Sequence, residues 1–149
     1  MKRNDIDMKP NAGFYISKIN DIVTLTEDTG DKLHESYEVI RKAIDNDKLS
    51  EVSAEQLTEI NTEFSAGVAT YNEQLALIKT LKPTPRVMGI HKKFERAYTD
   101  YVAACQAMVD SINEGVVDAK AFDASEVQQD EASQEISFAI QRMTNLIMK

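Results

Sequence analysis

The stretch ISKINDIVTLTEDTGDKLHESYEVIRKAI, residues 16–44, decides the fold class of this 149-residue chain. Its apolar and small residues recur at alternating spacings of three and four, which is the period of one face of an α-helix. These positions are Ile16, Ile19, Val23, Thr26, Gly30, Leu33, Tyr37, Ile40 and Ile44. Because the register passes through Gly30 unchanged, the pattern predicts one long helix over residues 12–45.

The next two helices are predicted from their start and stop signals. Ser53 and Gln56 form a capping box, and the same spacing of apolar residues follows them to residue 81. Pro83 stops this helix, and Thr84 followed by Pro85 can begin the next one. The sequence therefore predicts a second helix at 54–81 and a third at 86–114, which ends before Gly115.

The last helix is predicted at 124–147, from a box-like pair at Asp123 and Glu126 with Phe122 and Val127 at the flanking hydrophobic positions. Four amphipathic helices with short connections favour an all-α, antiparallel up-down-up-down four-helix bundle. Residues 1–149 then form one domain, with residues 1–11 as a flexible N-terminal arm. The alternative is a three-helix core whose fourth helix is loosely docked or exchanged with a second copy.

Two positions of the predicted apolar seams are occupied by glycine. Gly30 and Gly67 lie within about one turn of the same level of the first helical hairpin, so they could let the two helices approach closely. Alternatively, each is a small residue tolerated at a cost of about 1 kcal/mol relative to Ala. Since no gap interrupts the seams, the sequence points to no cavity.

Composition narrows the classes of function. The net charge of -8 repels a phosphate backbone, which argues against general nucleic-acid binding. Neither a signal peptide nor a transmembrane span is visible. The single Cys105 permits no internal disulfide and lies on an apolar stripe, which favours a buried, inert thiol. We expect a cytoplasmic protein, or a cell-envelope protein if a signal peptide has been removed.

The sequence shows no pattern of catalytic or metal-binding residues. The Glu-x-x-His pairs of di-iron bundles, calcium loops, nucleotide-binding glycine motifs and Cys-x-x-Cys are all missing. His34 and His91 differ in level by roughly 15 Å along the bundle, so they cannot share a haem iron. His91 and Met143 lie within about one turn of the same level, but a packed, hydrogen-bonded histidine is the favoured interpretation. The prediction is a non-enzymatic protein with no metal and no cofactor.

Charge is distributed unevenly along the chain. Between residues 79 and 96 the basic side chains are opposed only by Glu95. They are Lys79, Lys82, Arg86, Lys92, Lys93 and Arg96. Residues 110–135 carry eight acidic residues against Lys120 alone, and an up-down bundle places the two segments toward opposite ends. The favoured interpretation is that both charged ends are solubilising, and the functional hypothesis is that the basic end binds an anion or another protein.

The third helix is the most aromatic of the four. Its seam of His91, Phe94, Tyr98 and Tyr101 supports a second hypothesis, a bundle that binds a small molecule or cofactor. Methionine together with Tyr71, Tyr98 and Tyr101 could line such a pocket, although plain core is the favoured interpretation. A third hypothesis is a structural, self-associating bundle, such as a homodimer.

The segment Lys82-Pro-Thr-Pro85, followed by His91, Phe94, Tyr98 and Tyr101, resembles part of a known group of proteins. It is similar to the second helical hairpin of uncharacterised helical domains in cell-envelope lipoproteins of Gram-positive bacteria. The resemblance covers residues 82–101. It implies a bacterial helical domain and lends no catalytic residues to this chain.

Overall fold

The computed structural model describes residues 11–148, and four helices account for almost all of that segment. They are α1 (Ala12–Asp45), α2 (Ala54–Thr80), α3 (Met88–Asp110) and α4 (Ala119–Met148). Two short antiparallel strands, β1 (Ile112–Asn113) and β2 (Val116–Val117), lie between α3 and α4. The predicted all-α class is confirmed. Most of the predicted N-terminal arm, residues 1–10, lies outside the described residues.

The first two helices begin where the sequence predicts. The Asn11 side-chain oxygen accepts a hydrogen bond from the backbone N–H of Phe14 at 2.9 Å and caps α1. The Ser53 hydroxyl accepts from the backbone N–H of Gln56 at 3.1 Å, as expected of its capping box. Helix α1 also continues through Gly30 without a break.

The third helix, predicted over 86–114, starts within about three residues of its predicted start but ends at residue 110, before its predicted end. Pro85–Val87 forms a 3-10 turn, and the Thr84 side chain makes no capping hydrogen bond. At the other end α3 stops at residue 110 and the chain enters the hairpin. Glu114 and Gly115 form its two-residue turn with φ values of 51° and 76°. Two positive φ values match the twist of a tight hairpin, so Gly115 serves that turn and not a helix end.

The fourth helix begins at residue 119, before the predicted residue 124. The Asp118 carboxylate accepts from the backbone N–H of residue 121 at 3.1 Å. The predicted capping box of Asp123 and Glu126 is wrong, because both carboxylates accept hydrogen bonds from Arg41 of α1. Val127 is 57% exposed, so it closes no hydrophobic staple.

Helices α3 and α4 make the most extensive contact of any helix pair, and they make it through small residues. Buried small residues recur at intervals of seven: Ala97 and Ala104 in α3 with Ser111 directly after its end, and Ser125, Ala132 and Ala139 in α4. Heptad spacing keeps them on one face, and small side chains let helix axes approach closely. Phe122 and Met143 of α4 are also fully buried, so the alternative of a loosely docked fourth helix is not observed.

Helices α1 and α2 approach closely at one of the two glycines. A Cβ added to Gly67 would lie 2.6 Å from Cδ1 of Leu33, whereas one added to Gly30 would lie 3.8 Å from the hydroxyl of Tyr71. Gly67 therefore makes room for the Leu33 side chain of α1, and the interpretation of a tolerated small residue fits Gly30. Gly30 precedes Leu33 on α1, whereas the residue that contacts Gly30, Tyr71, follows the residue that contacts Leu33, Gly67, on α2. This reversed order is consistent with the predicted up-down arrangement.

Candidate functional site

The first three members of the predicted aromatic seam belong to the core. His91 is 4% exposed, and Phe94 and Tyr98 are completely or almost completely buried. The Tyr98 hydroxyl lies 2.7 Å from the hydroxyl of Thr26, and burial raises the pKa of Tyr98 to about 12. The burial that the register predicts is confirmed, and these side chains are unavailable to a ligand.

His91 has a hydrogen-bond partner on each ring nitrogen. Its Nδ1 lies 2.7 Å from the hydroxyl of Tyr15, and the backbone carbonyl of Ile78 also bonds to the ring. In the bond to Tyr15 the tautomer of the ring decides which of the two groups donates. Burial lowers the pKa of His91, which keeps the ring neutral.

Met143 contacts the same hydroxyl, with its sulfur 3.7 Å from the Tyr15 oxygen. His91 and Met143 thus contact the same tyrosine hydroxyl. A metal ion joining these two side chains would need the position that Tyr15 fills. The closeness in level predicted for His91 and Met143 therefore corresponds to a packed, hydrogen-bonded cluster.

Tyr101 differs from the rest of the seam because it lines a cleft of about 330 Å³ between α1 and α4. The inner wall is mainly apolar and carries Leu33, Phe64, Val68 and Met108, together with Tyr37, Tyr71, Tyr101 and Cys105. Gly30 is also part of the wall, and the mouth carries His34, Glu126, Gln129 and Asp130. The expectation of no cavity is therefore wrong, although Tyr71 and Tyr101 are tyrosines that sequence reasoning had considered.

The tyrosines and the thiol in the cleft stay protonated near neutral pH. The rings of Tyr71 and Tyr101 meet edge to face with centroids 5.3 Å apart. Burial raises the pKa of both phenols. Burial also raises the pKa of Cys105 to about 12, which supports the predicted inert thiol.

The cleft is closed at one end by an ion cluster around Arg41. Its guanidinium donates to Glu126 at 2.7 Å, to Asp123 at 2.9 Å and to Asp45 at 3.1 Å. The hydroxyl of Tyr37 donates to the same Glu126 carboxylate at 2.6 Å. Burial alone would lower the pKa of Arg41, but these hydrogen bonds raise it, so α1 and α4 are joined here by a permanent charge.

All members of the predicted basic end are exposed, but they do not converge on one site. Lys93 and Arg96 line a shallow groove of about 1080 Å³ between α3 and α4, together with Arg142 of α4. The remaining four lie outside that groove: Lys79, Lys82, Arg86 and Lys92. Within residues 11–148, none of the six predicted basic residues forms an ion pair.

The groove carries both signs of charge around an exposed aromatic ring. Ala104, Ala132 and Ala139 lie along it, and Asp100, Glu131 and Glu135 supply three carboxylates. Phe138 is 62% exposed, and the guanidinium of Arg142 lies 5.9 Å from the centre of its ring. The sequence analysis missed Phe138 and Arg142. Their signal is an aromatic residue four positions before an arginine on the polar face of a helix.

The side chains and helices of residues 11–148 also bear on a metal site and on a membrane span. That segment contains no group of three or more His, Cys, Asp or Glu residues placed to hold a metal ion. None of its helices combines the length and the apolar character needed to cross a bilayer.

No protein-family model, curated protein or solved structure matches this chain. The resemblance of residues 82–101 to helical domains of Gram-positive lipoproteins therefore stays a prediction. Any functional assignment depends on the geometry of the cleft and the groove.

Proposed function

We propose that this bundle is a non-enzymatic protein that acts by protein–protein interaction through the α3–α4 groove, and that its partner is a second copy of the chain. The observation that supports the proposal is the exposed ring of Phe138 between a basic and an acidic half of one groove. Lys93 and Arg96 connect this surface to the basic end predicted from the sequence.

The two halves follow from the order of residues on helices that run in opposite directions. The hairpin joins the end of α3 to the start of α4, and the helices pack along their length, so they are antiparallel. On α3, Lys93 and Arg96 precede Asp100; on α4, Glu135 precedes Phe138 and Arg142 follows it. The basic side chains therefore share one half of the groove and the acidic side chains the other.

Such a surface is complementary to itself. In a dimer with two-fold symmetry the same patch is used on both subunits, so each half of the groove meets the opposite half of the partner. With the axis near Phe138, the basic half of Lys93, Arg96 and Arg142 faces the partner's acidic half. The two phenyl rings would meet at the centre, where aromatic side chains contribute most to binding. Equal numbers of opposite charges make a second copy a better fit than a uniformly acidic or basic partner.

The size of the groove predicts weak association. From Ile90 to Ala104 the groove runs about 20 Å along α3, at 1.5 Å per residue. That is short for an interface of the usual size, about 800 Å² per partner. We therefore expect a dissociation constant in the micromolar range or weaker, and one that increases with salt because the charges are exposed.

A charge-exchange experiment tests the pairing of the two halves by sedimentation velocity, at concentrations up to about 500 µM, where micromolar complexes are populated. One variant reverses the basic half: Lys93→Glu, Arg96→Glu and Arg142→Glu. The other reverses the acidic half: Asp100→Lys, Glu131→Lys and Glu135→Lys. Each variant alone should be monomeric, because like charges meet across the axis, and an equimolar mixture should form a heterodimer.

The matched control reverses three basic residues outside the groove: Lys79→Glu, Lys82→Glu and Arg86→Glu. This control should dimerise like the wild type, and circular dichroism should show native helicity in every variant. A wild-type chain that stays monomeric at the highest concentration would refute self-association. If the mixture of groove variants fails to associate, the assignment of this groove is wrong. Loss of dimers in the control variant alone would place the contact on the basic end.

A further inference from the structure

The cleft between α1 and α4 is a second site, separate from the groove and on the opposite side of α4. It lies between two places where α1 and α4 contact each other. Arg41 binds Glu126 at one end, and Tyr15 contacts Met143 at the other. We propose that this cleft binds a small organic cation with an apolar body.

The inner wall fits the apolar body of such a ligand. Phe64, Val68 and Met108 are buried and line the cleft, and Leu33 is half-buried beside them. Gly30 contributes no side chain, which leaves open the space in front of the Tyr71 hydroxyl. A glycine in the middle of a long helix costs about 1 kcal/mol relative to Ala, and here its absent side chain is what provides the room.

The aromatic rings and the mouth favour a positive charge. Tyr71 and Tyr101 line the inner wall, and the faces of aromatic rings attract organic cations. Tyr37 also lines the cleft, but its ring is stacked against His34 and Phe122. The ionised carboxylates that line it are Glu126 and Asp130, both at the mouth. His34 lines the mouth as well, and its Nε2 lies 3.8 Å from a carboxylate oxygen of Glu38.

The cation of Arg41 does not reverse this balance. Its guanidinium is shared among three carboxylates, so the ion cluster at that end of the cleft is negative in sum. The phenols and the thiol of the inner wall remain neutral. A negative mouth above an aromatic wall attracts cations and repels anions.

The volume sets the size of the ligand. About 330 Å³ lies near the lower limit of small-molecule pockets, which run from roughly 300 to 1,000 Å³. A molecule with one ring or a short branched chain fits that space. A haem or a dinucleotide does not.

The test is isothermal titration calorimetry of the full chain with three probes of similar size. Benzyltrimethylammonium is the cation, benzyl alcohol the neutral probe and phenylacetate the anion. The cation should bind at least about tenfold more tightly than the anion, which corresponds to about 1.4 kcal/mol. Equal binding of the cation and the anion, or no binding of the cation, would overturn the proposal.

Two variants locate the binding to the cleft. Gly30→Leu places an isobutyl group in the open space and should lower the affinity for the cation at least about tenfold. Its control is Glu27→Leu, an exposed position on the same helix, which should bind as the wild type does. Retained affinity in Gly30→Leu would show that the probe binds elsewhere.

The second variant, Asp130→Asn, tests the charge at the mouth and does not depend on whether the filled cleft folds. Asp130 is exposed, so its replacement should leave the melting temperature unchanged. It should weaken binding of benzyltrimethylammonium several-fold and leave binding of benzyl alcohol unchanged. An equal loss for both probes, or no loss for the cation, would show that the mouth does not select for charge.

Discussion

Alanine substitution at Gly67 and Gly30 should have unequal effects, because the space in front of the two residues differs. Both lie in helix interiors, where replacing glycine by alanine gains about 1 kcal/mol of intrinsic helix stability. At Gly30 the new Cβ would lie 3.8 Å from its nearest neighbour, an ordinary contact, so the full gain should be observed. At Gly67 the Cβ would lie 2.6 Å from Cδ1 of Leu33, so that side chain or the helix must move. The obstacle is the end of a half-buried side chain that lines the cleft, so displacing it should offset part or all of the gain.

Urea denaturation followed by circular dichroism measures both effects, provided that the slope with denaturant is unchanged. Gly30→Ala should raise the free energy of unfolding by about 1 kcal/mol, and Gly67→Ala should raise it by less, down to no gain at all. Removing the obstacle in a Leu33→Ala background should restore the gain, so that Gly67→Ala then stabilises by about 1 kcal/mol. If Gly67→Ala stabilises the wild type as much as Gly30→Ala does, the two helices do not approach closely at this point.

Three further predictions concern buried residues of the core and the ion pair between α1 and α4. Phe94→Ala should lower the free energy of unfolding by about 3 to 5 kcal/mol, measured by urea denaturation, because the ring is completely buried. The pKa of His91 is lowered in the folded chain, so just below pH 6.5 the unfolded chain takes up a proton that the folded chain does not. The free energy of unfolding should therefore fall as pH drops through that range, by at most about 1.4 kcal/mol per pH unit. This component should disappear in His91→Gln and persist in His34→Gln, in melts between pH 5 and pH 8. A double-mutant cycle of Arg41→Ala with Glu126→Gln should give a coupling of about 1 to 2 kcal/mol, because that pair is only partly exposed; a coupling near zero would mean that it does not hold α1 to α4.

The helical seams could be predicted from the sequence because they depend on local periodicity. A helix buries one face whatever lies opposite it, so spacings of three and four identify the buried positions without knowledge of the partner. Phe94 and Tyr98 are buried as that pattern predicts. The start of α2 was equally predictable, because the hydrogen bond between Ser53 and Gln56 joins residues close in sequence.

The region between α3 and α4 was predicted less well, because competing local signals are resolved there by distant contacts. The pair Asp123 and Glu126 has the spacing of a capping box, but Arg41 binds both carboxylates from another helix. The hairpin did have a local signal in the two-residue Glu114–Gly115 turn, flanked by Ile112 and Val116. With only two pairs of residues, that signal is shorter than the helical patterns on either side of it.

The cleft and the groove depend on distances between helices, and a single seam contains no such distance. The alanines and serines at intervals of seven in α3 and α4 bring these two helices close together along their length. Helices α1 and α4 contact each other where Arg41 reaches Glu126, where Tyr37 stacks on Phe122, and where Tyr15 reaches Met143. A bundle in which α4 packs tightly against one neighbour leaves space on the side of its other neighbour, and that space is the cleft. The same tight pair keeps its outer surface shallow, so Phe138 stands exposed on it. One packing choice, small residues between α3 and α4, therefore accounts for both candidate sites.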